Sequence, residues 1–94
     1  MIEEASMNTY VIDGERMPDR AAAHAELARA LHLPPHYGAN LDALWDEISC
    51  MRAEVTLAHP AAMLNALGAY GCKLLQTMFE ATGKNDGFRF HIAE

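Results

Sequence analysis

His36-Tyr37-Gly38-Ala39-Asn40-Leu41-Asp42-Ala43-Leu44-Trp45-Asp46 reads as a glycine-bearing loop, an asparagine helix cap and a helix with two separate faces. Leu41, Leu44, Trp45 and Ile48 stand at i, i+3, i+4 and i+7, the spacing of a core-facing helical stripe. Asp42 and Asp46 are four apart and so project side by side on another face. At ~100° per residue that pair points roughly 120° away from the stripe, toward solvent. Adjacent like charges at this spacing weaken an isolated helix by a few tenths of a kcal/mol. Asp42 recovers some of this at the positive helix N-terminus, whereas Asp46 lies a turn further in. A local rule broken without visible compensation is where function tends to sit.

Upstream, Pro34 and Pro35 must end whatever helix precedes them, because proline removes an amide donor and restricts its predecessor. That helix spans Ala21 to Leu31 and opens at Pro18-Asp19; its inward residues are Ala22, Ala23, Leu27, Ala30 and Leu31. Gly38 is expected to supply the backbone freedom of the loop, and Asn40 to cap a helix running to about Cys50. Thr9 to Ile12, closed by Asp13-Gly14, predicts a strand, as do Glu54 to Leu57 and the alternating Phe88 to Ile92. Pro60 starts a helix over Ala61 to Leu67, which Gly68 divides from a longer one, Tyr70 to about Ala81. Leu74, Leu75, Met78 and Phe79 form the inward face of the latter, and Gly83 with Asn85-Asp86-Gly87 ends it. The order β-α-α-β-α-α-β, with helical crossovers, predicts an α/β fold with a small parallel three-stranded sheet.

Ninety-four residues, 51% of them hydrophobic, suit a single domain over 1–94, with 1–7 expected to be frayed. The net charge of −6, from 13 acidic and 7 basic residues, argues against direct nucleic-acid binding, which needs clustered Lys and Arg. It favours a basic partner or plain solubility. Cys50 and Cys72 lack the spacing of a metal or redox motif, which suits a reduced cytoplasmic chain and leaves one disulfide between them open. No stretch approaches the ~20 apolar residues of a membrane span, and the opening residues lack the pattern of a signal peptide.

The acidic pair could serve acid–base or metal chemistry, present charge to a cationic site, or be a solvated face. No third group stands at a catalytic spacing: HExxH, GxSxG and a phosphate loop are all missing from the sequence. A convex helix also lacks the enclosed site that enzyme chemistry wants. An enzyme is therefore not expected, nor a metal or cofactor. Of five histidines, His32 and His36 are four apart, but the intervening prolines forbid a shared helical face, so the histidines are expected on surfaces and loops. His36 abuts the acidic helix, and histidine can change charge between pH 5 and 8. Trp45 is expected to anchor the core, with Met51, Met63 and Met78 as filler.

Tyr37-Gly38-x-Asn40-Leu41-Asp42-Ala43-Leu44-Trp45-Asp46 resembles the signature of the barstar family, intracellular protein inhibitors of barnase-type secreted ribonucleases. Val11-Ile12-Asp13-Gly14 is similar to that family's first strand and turn, and the element order fits its fold. The resemblance implies a one-to-one complex with a basic, guanyl-specific ribonuclease, in which the loop and helix plug the RNA-binding cleft. Asp46 would then mimic phosphate and Asp42 would meet neighbouring cationic or base-recognition groups. Gly38, Ala39 and Asn40 would lay their backbone against the nuclease, making His36, Tyr37, Gly38, Ala39, Asn40, Asp42, Ala43, Asp46 and Lys73 the expected contact set. His36 stands where the family's best-known member has a tyrosine, Lys73 where it has an acidic contact, and Met51 where it has a tryptophan. The Lys73 reversal points away from barnase itself, toward another ribonuclease such as a toxin domain encoded alongside. A regulatory module that binds some other basic protein through the same helix is the alternative.

Overall fold

A computed structural model describes residues 8–93. Its strands are β1 (Asn8–Asp13), β2 (Ala53–Ala58) and β3 (Phe88–Ala93), and its helices are α1 (Arg20–Leu31), α2 (Leu41–Ile48), α3 (Pro60–Leu67) and α4 (Ala69–Lys84). The β-α-α-β-α-α-β order expected from the sequence is present, with an added 3-10 turn at Gly14–Arg16. The expected fraying of residues 1–7 lies outside the described residues.

The sheet is parallel throughout, with spatial order β1-β2-β3. Two crossovers that step in the same direction, both right-handed, must lay their helices on the same face of the sheet. The burial pattern agrees with that rule. Ile12, Val55, Leu57, Phe88 and Phe90 are buried on the helical side, while Val11 is 55% exposed on the other. On that open face His91 and Glu54 are joined by a 2.8 Å hydrogen bond across neighbouring strands.

Helix boundaries follow local chemistry. The Asp19 carboxylate accepts the Ala22 amide at 2.8 Å, so α1 starts one residue before the expected Ala21. Pro60 occupies the first turn of α3, and Gly68, at φ 59° and ψ −130°, takes a positive-φ conformation that suits glycine and separates α3 from α4. The helix α2 stops at Ile48, short of Cys50. There the Asn85 side-chain amide donates to the Ile48 and Met51 carbonyls at 3.1 and 2.8 Å. Gly83 does not end α4, which continues through it to Lys84.

Burial revises several expected roles. Leu44, Ile48, Leu74, Met63 and Met78 are fully buried as expected, and Leu41, Trp45, Leu75 and Met51, though only partly buried, pack against the same core. Phe79 is exposed at 46% and sets its ring edge-on to Phe90 instead of entering the core. The expected surface histidine at 24 is in fact 2% exposed within α1, whereas His32, His36, His59 and His91 are at the surface. Glu26 is likewise buried: its carboxylate accepts the Asp13 amide and a bidentate pair of Arg29 bonds at 2.9 and 2.7 Å. Burial alone would raise the Glu26 pKa, but Arg29 and the Asp13 amide outweigh it and hold the carboxyl below its ordinary value.

Candidate functional site

The segment between α1 and α2 is built from stop signals. His32 caps α1 in the left-handed conformation, and the Leu33 amide reaches back to the Ala28 carbonyl at 3.0 Å before the two prolines. The Tyr37 amide closes a turn on the Pro34 carbonyl at 3.0 Å. Gly38 does not supply the special backbone conformation; Ala39 does, at φ 56°. What Gly38 supplies is room, because a Cβ there would sit 3.2 Å from the Ala43 side chain.

Asn40 then caps α2, its side-chain oxygen accepting the Ala43 amide at 2.7 Å. With Asn85 at its other end, the short helix has a side-chain partner at both termini, and its direction is fixed. Leu44 and Ile48 face inward, and α2 packs against α4. Asp42 and Asp46 are exposed, and neither forms an ion pair among the described residues. Glu47 is partly buried beside them, as is Trp45. Cys50 and Cys72 are both free thiols at the surface, so the question of a disulfide is answered in the negative.

Next to Asp42 lies an open cleft of about 510 Å³ lined by Arg20, Ala21, Ala39, Asn40, Leu41, Asp42 and Tyr70. The Arg20 guanidinium lies over the Tyr70 ring, 4.3 Å from its centroid. Under this wall the Tyr70 hydroxyl is hydrogen-bonded to His24 Nε2 at 2.6 Å, and the Tyr37 hydroxyl to His24 Nδ1 at 2.6 Å. Burial lowers the His24 pKa and so keeps the imidazole neutral. Burial also raises the Tyr37 phenol, with Tyr70 and the Glu47 carboxylate adding to the effect.

Of the expected contact set, the structure brings Ala39, Asn40 and Asp42 together on one cleft. His36, Gly38 and Asp46 are exposed, Ala43 is half-buried, and Lys73 is exposed on α4, outside the cleft lining. Tyr37 turns its hydroxyl inward. Sequence reasoning missed Arg20, His24 and Tyr70. For His24 a signal was present: it shares the inward stripe of α1 with Leu27 and Leu31, at i+3 and i+7, and a buried imidazole needs polar partners.

A family model described as Barstar (barnase inhibitor) matches residues 7–93. The chain belongs to the barstar family. A "Putative ribonuclease inhibitor YrdF" of Bacillus subtilis (strain 168) is 33% identical over 81 residues, which cover 80% of this chain and 86% of that protein. The barstar family is one of inhibitors rather than enzymes, and no described helix is long and apolar enough to cross a membrane.

Proposed function

We propose that this barstar-family chain is an intracellular immunity protein that blocks a barnase-like guanyl-specific ribonuclease one-to-one. The loop and α2 enter the nuclease cleft and offer carboxylates where RNA phosphate would bind. The observation that carries this reading is the pair of exposed aspartates, one turn apart, with no ion-pair partner among the described residues. Carboxylates left open in this way match Arg and Lys groups arranged for phosphate, and burial of such contacts makes them strong. The net charge of −6 adds long-range attraction to a basic partner, which raises the association rate in a salt-dependent way.

The test is titration of the purified chain into RNA-cleavage assays with a barnase-type ribonuclease and with any toxin ribonuclease encoded beside it. Stoichiometric inhibition is expected of at least one, weakened by Asp46→Ala and by Asp42→Ala. Unchanged inhibition constants in both variants would overturn the assigned surface. If the chain inhibits neither enzyme but binds a different basic protein through the same aspartates, the ribonuclease reading is replaced by that of a regulatory module.

A further inference from the structure

Hydrogen bonds tie the stretch from Pro34 to Ala39 to the rest of the protein by very little, and Tyr37 is its hydrophobic side chain that packs against the core. Its described backbone hydrogen bond is internal, from the Tyr37 amide to Pro34, and the Asn40 side-chain amide reaches back only to the Gly38 carbonyl at 3.4 Å. Ala39 adds left-handed strain, roughly 1 kcal/mol for a residue that bears a Cβ. Few ties and stored strain are the marks of a segment that opens easily. Yet this segment delivers α2 and its aspartates to a partner, and a loose presenter loses affinity through the ordering it must undergo on binding.

One side chain resolves the conflict. Among the described residues, the Tyr37–His24 contact is the only hydrogen bond that joins residues 34–39 to another element. Through its second nitrogen the same imidazole holds Tyr70, in the first turn of α4, whose ring carries Arg20 and walls the cleft beside Asp42. A neutral imidazole has one N–H and one lone pair, so one tyrosine hydroxyl donates to it and the other accepts from it. All three groups are satisfied at once, and bonds in such a chain strengthen each other. Neither a phenylalanine nor a leucine at position 24 could serve either hydroxyl.

We infer that His24 is the positioning residue of the acidic edge: by clamping Tyr37 to Tyr70 it holds the 34–40 segment and the Arg20–Tyr70 wall in the pose that presents Asp42 and Asp46. His24 is too buried to touch a partner, so it acts entirely through the two tyrosines. What the edge binds rests on the ribonuclease reading above; the clamp itself is measurable without a nuclease.

The variants are Tyr37→Phe, Tyr70→Phe and the double replacement, each of which keeps the ring and removes only hydroxyls. Thr82→Val, which removes a hydroxyl bonded to the Phe79 carbonyl elsewhere on α4, serves as the matched control. Amide exchange is read at Tyr37 and Ala43, whose N–H groups are bonded within the segment and its cap, and ¹⁵N order parameters are read at Gly38, Ala39 and Asn40. Either single variant should speed exchange at these two amides roughly tenfold, the loss of one buried hydrogen bond. Order parameters at 38–40 should fall, while the β2 amides of Val55 and Leu57 stay as in wild type. The double variant should add less than the product of the singles, because the clamp fails as a unit. Unmoved dynamics at 38–43, or loosening spread evenly over the sheet, would overturn the positioning role, as would an equal effect from Thr82→Val. If the segment loosens as expected while the wild type inhibits no ribonuclease, the clamp stands and the nuclease reading falls. If the wild type inhibits one but the segment is unmoved, the reverse holds.

Discussion

Neutralising Asp46 separates what the helix needs from what a partner needs. Asp46 is exposed, has no ion-pair partner among the described residues, and sits four residues from Asp42. It lies beyond the first turn of an eight-residue helix, where the positive end of the backbone dipole no longer helps. Asp46→Asn therefore removes a like-charge neighbour worth about 0.3 kcal/mol and takes away nothing the fold uses. For a domain of this size that is a melting temperature unchanged or raised by about 1–2 °C. In the complex the balance inverts. Truncating one member of a buried, hydrogen-bonded charge pair costs about 2–5 kcal/mol, or roughly 30- to 5,000-fold in affinity, carried mostly by faster dissociation. Asp42→Asn provides the contrast: it also loses a first-turn dipole contact of about 0.5 kcal/mol, so its melting temperature should stay flat or drop slightly. Thermal melts by circular dichroism and dissociation rates from the inhibited ribonuclease measure the two sides. A fall of several degrees for Asp46→Asn would refute the claim that the fold does not need this carboxylate. Affinity within threefold of wild type would refute its burial against a cationic site.

Three further outcomes follow from the geometry. Ala39→Gly relieves the left-handed strain at φ 56° and should raise stability to chemical denaturation by up to about 1 kcal/mol; a loss of stability would contradict the strain argument. Gly14→Ala would drive a Cβ onto the His59 carbonyl oxygen and within 2.9 Å of its carbon, so a loss of about 3 kcal/mol or more in a denaturant titration is expected, and a neutral substitution would be inconsistent with that packing. Burial holds the His24 pKa below 6.5 in the folded state, so the unfolded chain takes up this proton first; the contribution is intact above about pH 6.5 and is lost as pH falls from there toward the folded value. The Glu26 carboxyl, held below its ordinary value, contributes its own loss only at still lower pH, so the part of any stability loss between pH 8 and 5 that His24→Gln removes reports this histidine, and identical profiles for wild type and His24→Gln would refute its buried, neutral state.

The elements legible in the sequence are those whose signals are local. Proline at 60, the caps Asp19 and Asn40, and alternation over Phe88–Phe90 each act within a turn or a strand of themselves, and each marks an element close to where it is found. Parallel topology followed too, since two helices between successive strands leave room for little else. What escaped is long-range. The partners of His24 lie 13 and 46 residues away, and the amide that Glu26 accepts lies 13 residues away. Periodicity shows that position 24 faces inward; it cannot show which hydroxyls will meet the ring there. Glycine at 38 misled for a related reason: the residue was read for backbone freedom, whereas the tertiary demand is for space against Ala43, and the strained turn falls on Ala39.

The polar residues around α2 divide by where their partners are. Asn40, Asn85, His24, Tyr37 and Tyr70 all direct polar atoms at the chain itself, and among the described residues no buried side-chain nitrogen or oxygen lacks a hydrogen bond. Asp42 and Asp46 make no side-chain hydrogen bond and no ion pair among the same residues, although they stand on the most firmly capped short helix of the fold. On the proposed function, the caps that fix α2 also fix the angle of its two carboxylates, which suits a partner whose cations are themselves fixed, as the arginines and lysines of a phosphate-binding cleft are. It follows that loosening the support and removing the charge should damage inhibition by different routes. Tyr37→Phe should lower affinity through the ordering that the partner must then impose, and it should leave the salt dependence of association intact. Asp46→Asn should weaken that salt dependence in an already ordered edge. Measured association rates across a range of ionic strengths would separate the two, and identical salt slopes for wild type and Asp46→Asn would show that this carboxylate takes no part in attracting the partner.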